Sequence, residues 1–108
     1  MLDLALNGIG EDGHTASLFP RAQSLEEKER RAVAAEAGLE PFVPRVTLTL
    51  PVFAACDLLV YLVTGEGKAE ASRRAFAAEP GAATPASLVR GRRTIALLDP
   101  AAASLLDG

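Results

Sequence analysis

Residues 1–20 read MLDLALNGIGEDGHTASLFP. Met1 to Leu6 is apolar apart from Asp3 and predicts a buried strand. It runs into a loop with glycines at 8, 10 and 13, followed at once by His14, the only histidine of the chain. Without a Cβ, glycine lets backbone N–H groups approach a ligand closely. An imidazole beside such a loop adds acid–base chemistry near neutral pH. The carboxyl end of a strand is also where open α/β sheets place their ligands. His14 to Phe19 is expected to form a helical turn or two before Pro20 disrupts it, which would set the imidazole at the positive end of a helix dipole. Asp12 either orients the ring or a water, or makes an Asx-type turn or helix cap.

Outward from this stretch the chain alternates between strand and helix signals. Residues 24–30, SLEEKER, are a solvated charge run in which Ser24 and Glu27 have capping-box spacing. Arg31 to Glu36 fits a strand, although its alanines also tolerate helix. Gly38 to Pro44 reads as a turn. Arg45 to Leu50 alternates, with Val46, Leu48 and Leu50 on one side and Arg45, Thr47 and Thr49 on a polar face. Pro51 opens a helix over 51–57. Leu58 to Val63, LLVYLV, is continuously apolar, as expected for a central parallel strand covered on both faces. Thr64 to Gly67 turns into a helix over about 67–78, with Phe76 and alanines 69, 75 and 78 on its buried side, and Glu79-Pro80-Gly81 ends it. A helical turn near Pro85 to Val89, a strand over Thr94–Leu98 and a short helix capped by Asp99 complete the pattern. Such alternation predicts α/β with a mostly parallel sheet and flanking helices.

The chain has 108 residues, 49% hydrophobic and 23% charged, with a net charge of −3. That composition suits a soluble globular domain. The acidic balance argues against a nucleic-acid partner, which calls for a basic surface. The longest apolar run is far too short to span a bilayer, so no membrane partner is expected. No basic leader precedes Leu2, which points to the cytoplasm. Cys56 is the sole cysteine, so it is read as an inert core thiol and no internal disulfide can form.

Gly8-Ile9-Gly10-Glu11-Asp12-Gly13 matches the dinucleotide fingerprint G-x-G-x-x-G, and Glu36 lies at about the distance of a ribose-binding acid. Pro20 nevertheless interrupts the long helix that fingerprint must open, and Glu11 and Asp12 would repel a pyrophosphate. Gly67-Lys68 is not a phosphate loop of the Walker type, because Leu62 and Ala69 stand where Gly and Ser/Thr are needed. Ser17 and Ser24 sit in no nucleophile elbow. One His and one Cys leave no convincing metal set. Lys68 opens its predicted helix, where a cation opposes the dipole unless an anion shares the site; the alternative is screening by Glu66. Arg45 either clamps an anion or marks a solvated edge.

GIGEDGHTASLFP resembles the signature of the 6-phosphogluconolactonases, within the superfamily that also holds the glucosamine-6-phosphate deaminases and isomerases. The similarity continues through PRVTLTLPVFAACDLLVYLVTGEGKAEA, residues 44–71, and TIALLD, residues 94–99. The run HTASLFP after the glycines is the lactonase form, where deaminases typically carry I-G-F-N-E-P. The resemblance implies a Rossmann-like layered architecture, incomplete at its N-terminal side, with residues 1–108 as a single α/β unit forming the C-terminal half of a lactonase domain. It implies hydrolysis of 6-phospho-D-glucono-1,5-lactone to 6-phosphogluconate in the oxidative pentose phosphate pathway. His14 would be the general base and Asp12 its support. Gly10, Gly13, Thr15, Arg45 and Lys68 would bind substrate, the last two through its phosphate. No metal or organic cofactor is implied. The missing N-terminal half, or a second copy joined through the exposed sheet edge, is the expected partner, and the isolated chain is expected to turn over weakly or not at all. The alternatives are a glucosamine-6-phosphate deaminase or isomerase, and a non-catalytic sugar-phosphate-binding remnant.

Overall fold

The computed structural model describes residues 2–36 and 43–106. Most of the expected turn over Gly38–Pro44 lies outside them. Three parallel strands form the main sheet in the order β1 (Leu4–Asn7), β4 (Leu58–Val63), β5 (Arg93–Leu98). Leu4 is in register with Leu58, and Asn7 with Tyr61; Leu58 in turn faces Arg93. The alanine-rich segment chooses strand over helix: β2 (Ala32–Glu36) pairs antiparallel with β3 (Pro44–Leu48) in a separate two-stranded ribbon. Helix α1 (Leu50–Ala54), with Pro51 in its first turn, is shorter than the predicted 51–57. A 3-10 turn over Glu66–Lys68 leads into α2 (Ala69–Phe76). The α/β class with a parallel sheet and flanking helices therefore holds.

The core lies on one face of the sheet. Ala5, Leu59, Tyr61 and Val63 point toward α2 and the Pro85–Ser87 turn, where Ala71, Ala75, Ala86 and Val89 meet them. Tyr61 packs edge-on against Phe76, 5.3 Å between ring centroids. Its hydroxyl donates to the carbonyls of Val89 and Ala86 at 2.7 and 3.1 Å. Burial pushes the Tyr61 phenol up to about 12, against the opposing pull of the Arg90 guanidinium.

Several expectations are corrected. The β4 strand is central but covered on one face only: Leu62 is 53% exposed, beside Leu6 at 65% and Leu97 at 53%. The apolar and polar faces of β3 are also inverted, with Val46 76% exposed and Thr47 only 3%. Thr47 is buried because its hydroxyl accepts a hydrogen bond from the Ser17 N–H and donates to the Leu48 carbonyl. The capping box does not form. Glu27 instead accepts from the N–H groups of Glu29 and Arg30, which holds its carboxyl below the usual range, while the Ser24 hydroxyl has no partner. Ala78 is exposed, and Ser72 takes part of the inward face of α2. After Asp99 the chain makes turns rather than a helix, although the Asp99 carboxylate accepts from the Ala102 N–H as a cap would. Cys56 is buried as expected.

Candidate active site

Two loops leave the carboxyl ends of the adjacent parallel strands β1 and β4, and they meet. The first spans Gly8–Gly13 and the second Thr64–Lys68. Lys68 Nζ donates to the Ile9 carbonyl, and Arg74 Nη2 donates to the Glu11 carbonyl at 3.1 Å. Asp99 secures the second loop from β5, its carboxylate oxygens both accepting from the Gly65 N–H at 3.1 Å. Gly65 has φ +97°, a left-handed conformation that suits glycine.

Within the first loop the backbone folds back on itself. The Gly10 N–H donates to the His14 carbonyl at 2.8 Å and the Gly13 N–H to the Gly10 carbonyl at 2.9 Å. This closure brings the Asp12 carboxylate onto His14 twice: Oδ1 accepts from the His14 backbone N–H at 3.1 Å and lies 2.6 Å from Nδ1. Of the two roles open to Asp12, turn-former and ring-orienter, it fills both. The expected helical turns at 14–19 do not form. Thr15 and Leu18 instead close a tight turn with Ala16 at φ +53°, so no helix terminus sits at the imidazole. Among the described residues no protein group hydrogen-bonds His14 Nε2.

Gly8, Ile9, Gly10, His14, Thr15, Ala16 and Lys68 line a depression of about 310 Å³, at the low end for small-molecule sites. The candidate residues thus largely converge. Gly10, His14, Thr15 and Lys68 face one space, with Asp12 behind the ring. Thr15 contributes its position, since its hydroxyl is already donated to the Gly8 carbonyl at 2.7 Å. Gly13 lies below the loop at φ +94°, where a Cβ would meet Thr84 at 2.9 Å. Arg45 stands apart from the depression, with its guanidinium carbon 5.9 Å from the Phe19 ring centroid.

Sequence reasoning missed three supports of this site. Thr47 holds the 15–20 turn from β3, Arg74 clamps the glycine loop from α2, and Phe19 stacks on His14. Thr47 and Arg74 belong to no local motif that advertises such a role, because each acts across the fold; Phe19 lies within the HTASLFP run, but nothing in that run tells that its ring turns back onto His14. Among the described residues no group of His, Cys, Asp and Glu is arranged to hold a metal ion, and no helix is long and apolar enough to cross a membrane.

Comparison with known proteins gives the family of the chain. The family profile for glucosamine-6-phosphate isomerases/6-phosphogluconolactonase matches residues 1–97. The chain is 45% identical to the 6-phosphogluconolactonase of Rattus norvegicus over 112 residues, covering 99% of this chain and 42% of that protein. It is 41% identical to the Bos taurus 6-phosphogluconolactonase, covering 98% of this chain and 42% of the relative. The solved 6-phosphogluconolactonase of Trypanosoma brucei superposes with a TM-score of 0.85 at 31% identity, over 97% of this chain and 42% of that one. The chain therefore spans about two-fifths of the length of the relatives it matches, and over that span it belongs to the glucosamine-6-phosphate isomerase/6-phosphogluconolactonase family.

Proposed function

We propose that residues 1–108 supply the acid–base part of a 6-phosphogluconolactonase domain, acting on 6-phospho-D-glucono-1,5-lactone in the cytoplasm. The observation that carries this reading is the Asp12–His14 pair, 2.6 Å apart at the lip of a depression that also holds Lys68. An acceptor at Nδ1 fixes the tautomer with its proton on that nitrogen and leaves Nε2 as the basic atom.

A water between Nε2 and the lactone carbonyl carbon gives its proton to His14 as its oxygen bonds to that carbon. Asp12 stabilises the imidazolium that forms. The tetrahedral intermediate then collapses, the ring carbon–oxygen bond breaks, and His14 returns the proton to the departing hydroxyl. Charge on the carbonyl oxygen calls for N–H donors of the glycine loop other than those of Gly10 and Gly13, which are already given to the His14 and Gly10 carbonyls. Lys68, with Arg45 as the more distant cation, meets the phosphate. The step needs neither a redox centre nor a group carrier.

The test uses 6-phosphogluconate as probe and the lactone as substrate. We expect 6-phosphogluconate to shift the imidazole resonances of the single histidine, and hydrolysis above the spontaneous rate to vanish in His14→Ala. Asp12→Asn should lower that rate ~10²-fold, within the range for a lost acid–base contribution. Ammonia release from glucosamine-6-phosphate would move the assignment to the deaminase branch. Binding of 6-phosphogluconate without turnover would mark a sugar-phosphate-binding remnant.

A further inference from the structure

We propose that Phe19 is a positioning residue for the His14 imidazole, and that Arg45 acts on the site by holding Phe19. The inference rests on His14 being the base, and it explains why a phenylalanine stands five residues downstream in sequence yet lies against the ring.

One hydrogen bond does not orient an imidazole. The 2.6 Å contact from Nδ1 to Asp12 fixes where one nitrogen lies, but the ring can still rock about that contact and swing Nε2 through an arc. A second constraint must act on the ring plane. Phe19 provides it, its ring centroid 4.7 Å from that of His14 with 29° between the planes. The edge and the plane of the imidazole are thus set by different residues, and together they define the direction of Nε2.

Phe19 is itself immobilised. It is 4% exposed. The flanking backbone is tied by the Leu18 N–H to the Thr15 carbonyl at 3.0 Å, the Ala22 N–H to the Phe19 carbonyl at 3.1 Å, and the Ser17 N–H to Thr47 at 3.2 Å. The Arg45 guanidinium lies over its ring, within the range of a cation–π contact. Strand β3 therefore reaches the imidazole twice, through Thr47 on the backbone of the turn and through Arg45 on Phe19, without touching it.

The test uses the 108-residue chain and its one histidine, whose ring protons need no mutant for assignment. In the unmodified chain we expect nuclear Overhauser contacts between the His14 and Phe19 ring protons and an upfield displacement of the imidazole signals. Phe19→Leu should abolish that displacement, and Phe19→Tyr should restore it. In lactone hydrolysis Phe19→Leu should lower kcat roughly tenfold or more with KM within about twofold, the mark of a misdirected base, and Phe19→Tyr should recover kcat. Absence of the contacts in the unmodified chain overturns the proposal, and this measurement decides even if Phe19→Leu does not fold. Imidazole signals and kcat unchanged in a folded Phe19→Leu also overturn it. Failure of the base assignment is separately visible, as hydrolysis that survives His14→Ala while the ring contacts persist.

Discussion

A Cβ built on Gly10 would lie 2.1 Å from His14 Nδ1 and 2.9 Å from Asp12 Oδ1. The glycine is therefore the floor on which the Asp12–His14 pair rests. The obstructed atoms belong to side chains, so Gly10→Ala can be accommodated by turning the imidazole away. We expect a stability loss of at most about 1 kcal/mol, because the obstruction falls on movable atoms rather than backbone, together with a ~10²-fold or greater loss of lactone hydrolysis. Thermal unfolding and the His14 resonances separate the two effects. Full activity in Gly10→Ala would show that the pair does not need this geometry.

This relationship also marks how far the sequence can be read. A strand before the glycine loop, the parallel placement of Leu58–Val63, and the neighbourhood of Asp12 and His14 are legible because each is local in sequence; the burial expected of the first strand is not, since β1 lies at the sheet edge with Leu2, Leu4 and Leu6 exposed. Nor are the inverted faces of β3 legible. Alternation shows that Val46 and Thr47 point opposite ways, but the buried side depends on a partner 30 residues away, the Ser17 N–H. The turn at 14–19 fails as a helix for a similar reason, since the Thr15 hydroxyl ties the turn to the Gly8 carbonyl, seven residues back. The stack of Phe19 on His14 depends on that turn, so neither periodicity nor spacing reveals it.

Lys68 and Arg45 carry the same charge and should behave differently. Lys68 lines the depression, while Arg45 lies behind Phe19. Lys68→Met should weaken 6-phosphogluconate binding roughly 10- to 100-fold, the worth of one hydrogen bond to a charged group. Arg45→Ala should weaken it less and also disturb the His14 signals. Titration calorimetry with 6-phosphogluconate reads the first effect and imidazole spectra the second. Unchanged affinity in both variants would remove the phosphate assignment.

The main sheet presents Leu6, Leu62 and Leu97 on one face, each more than half exposed. Parallel sheets are ordinarily covered on both faces, and contiguous apolar surface of this kind promotes association. The chain alone should bind a hydrophobic dye and sediment above its monomer mass in a concentration-dependent way. Leu62→Lys with Leu97→Lys should reduce both signals while leaving the Tyr61 environment intact, since Tyr61 faces the opposite side. A chain that is monomeric at high concentration and silent toward the dye would contradict this.

Tyr61 gives the stability of the chain a distinct alkaline limit. Its phenol rises from 10.0 in the unfolded chain to about 12 in the fold, because burial disfavours the charged form. The folded state therefore holds its proton at a pH where the unfolded chain releases it. This contribution is complete below about pH 10 and is lost as the pH rises toward 12, by up to ~3 kcal/mol. The informative quantity is the difference from Tyr61→Phe. Removing the hydroxyl should change stability by about 1 kcal/mol or less at pH 8, because Arg90 Nη1 also donates to the Ala86 and Val89 carbonyls and keeps both partnered. Between pH 10 and 12 the loss of stability should be shallower in Tyr61→Phe than in the unmodified chain. Urea unfolding across that range, read beside tyrosinate absorbance from the chain's only tyrosine, measures both. Equal slopes in the two proteins would mean that the Tyr61 proton is not held by the fold.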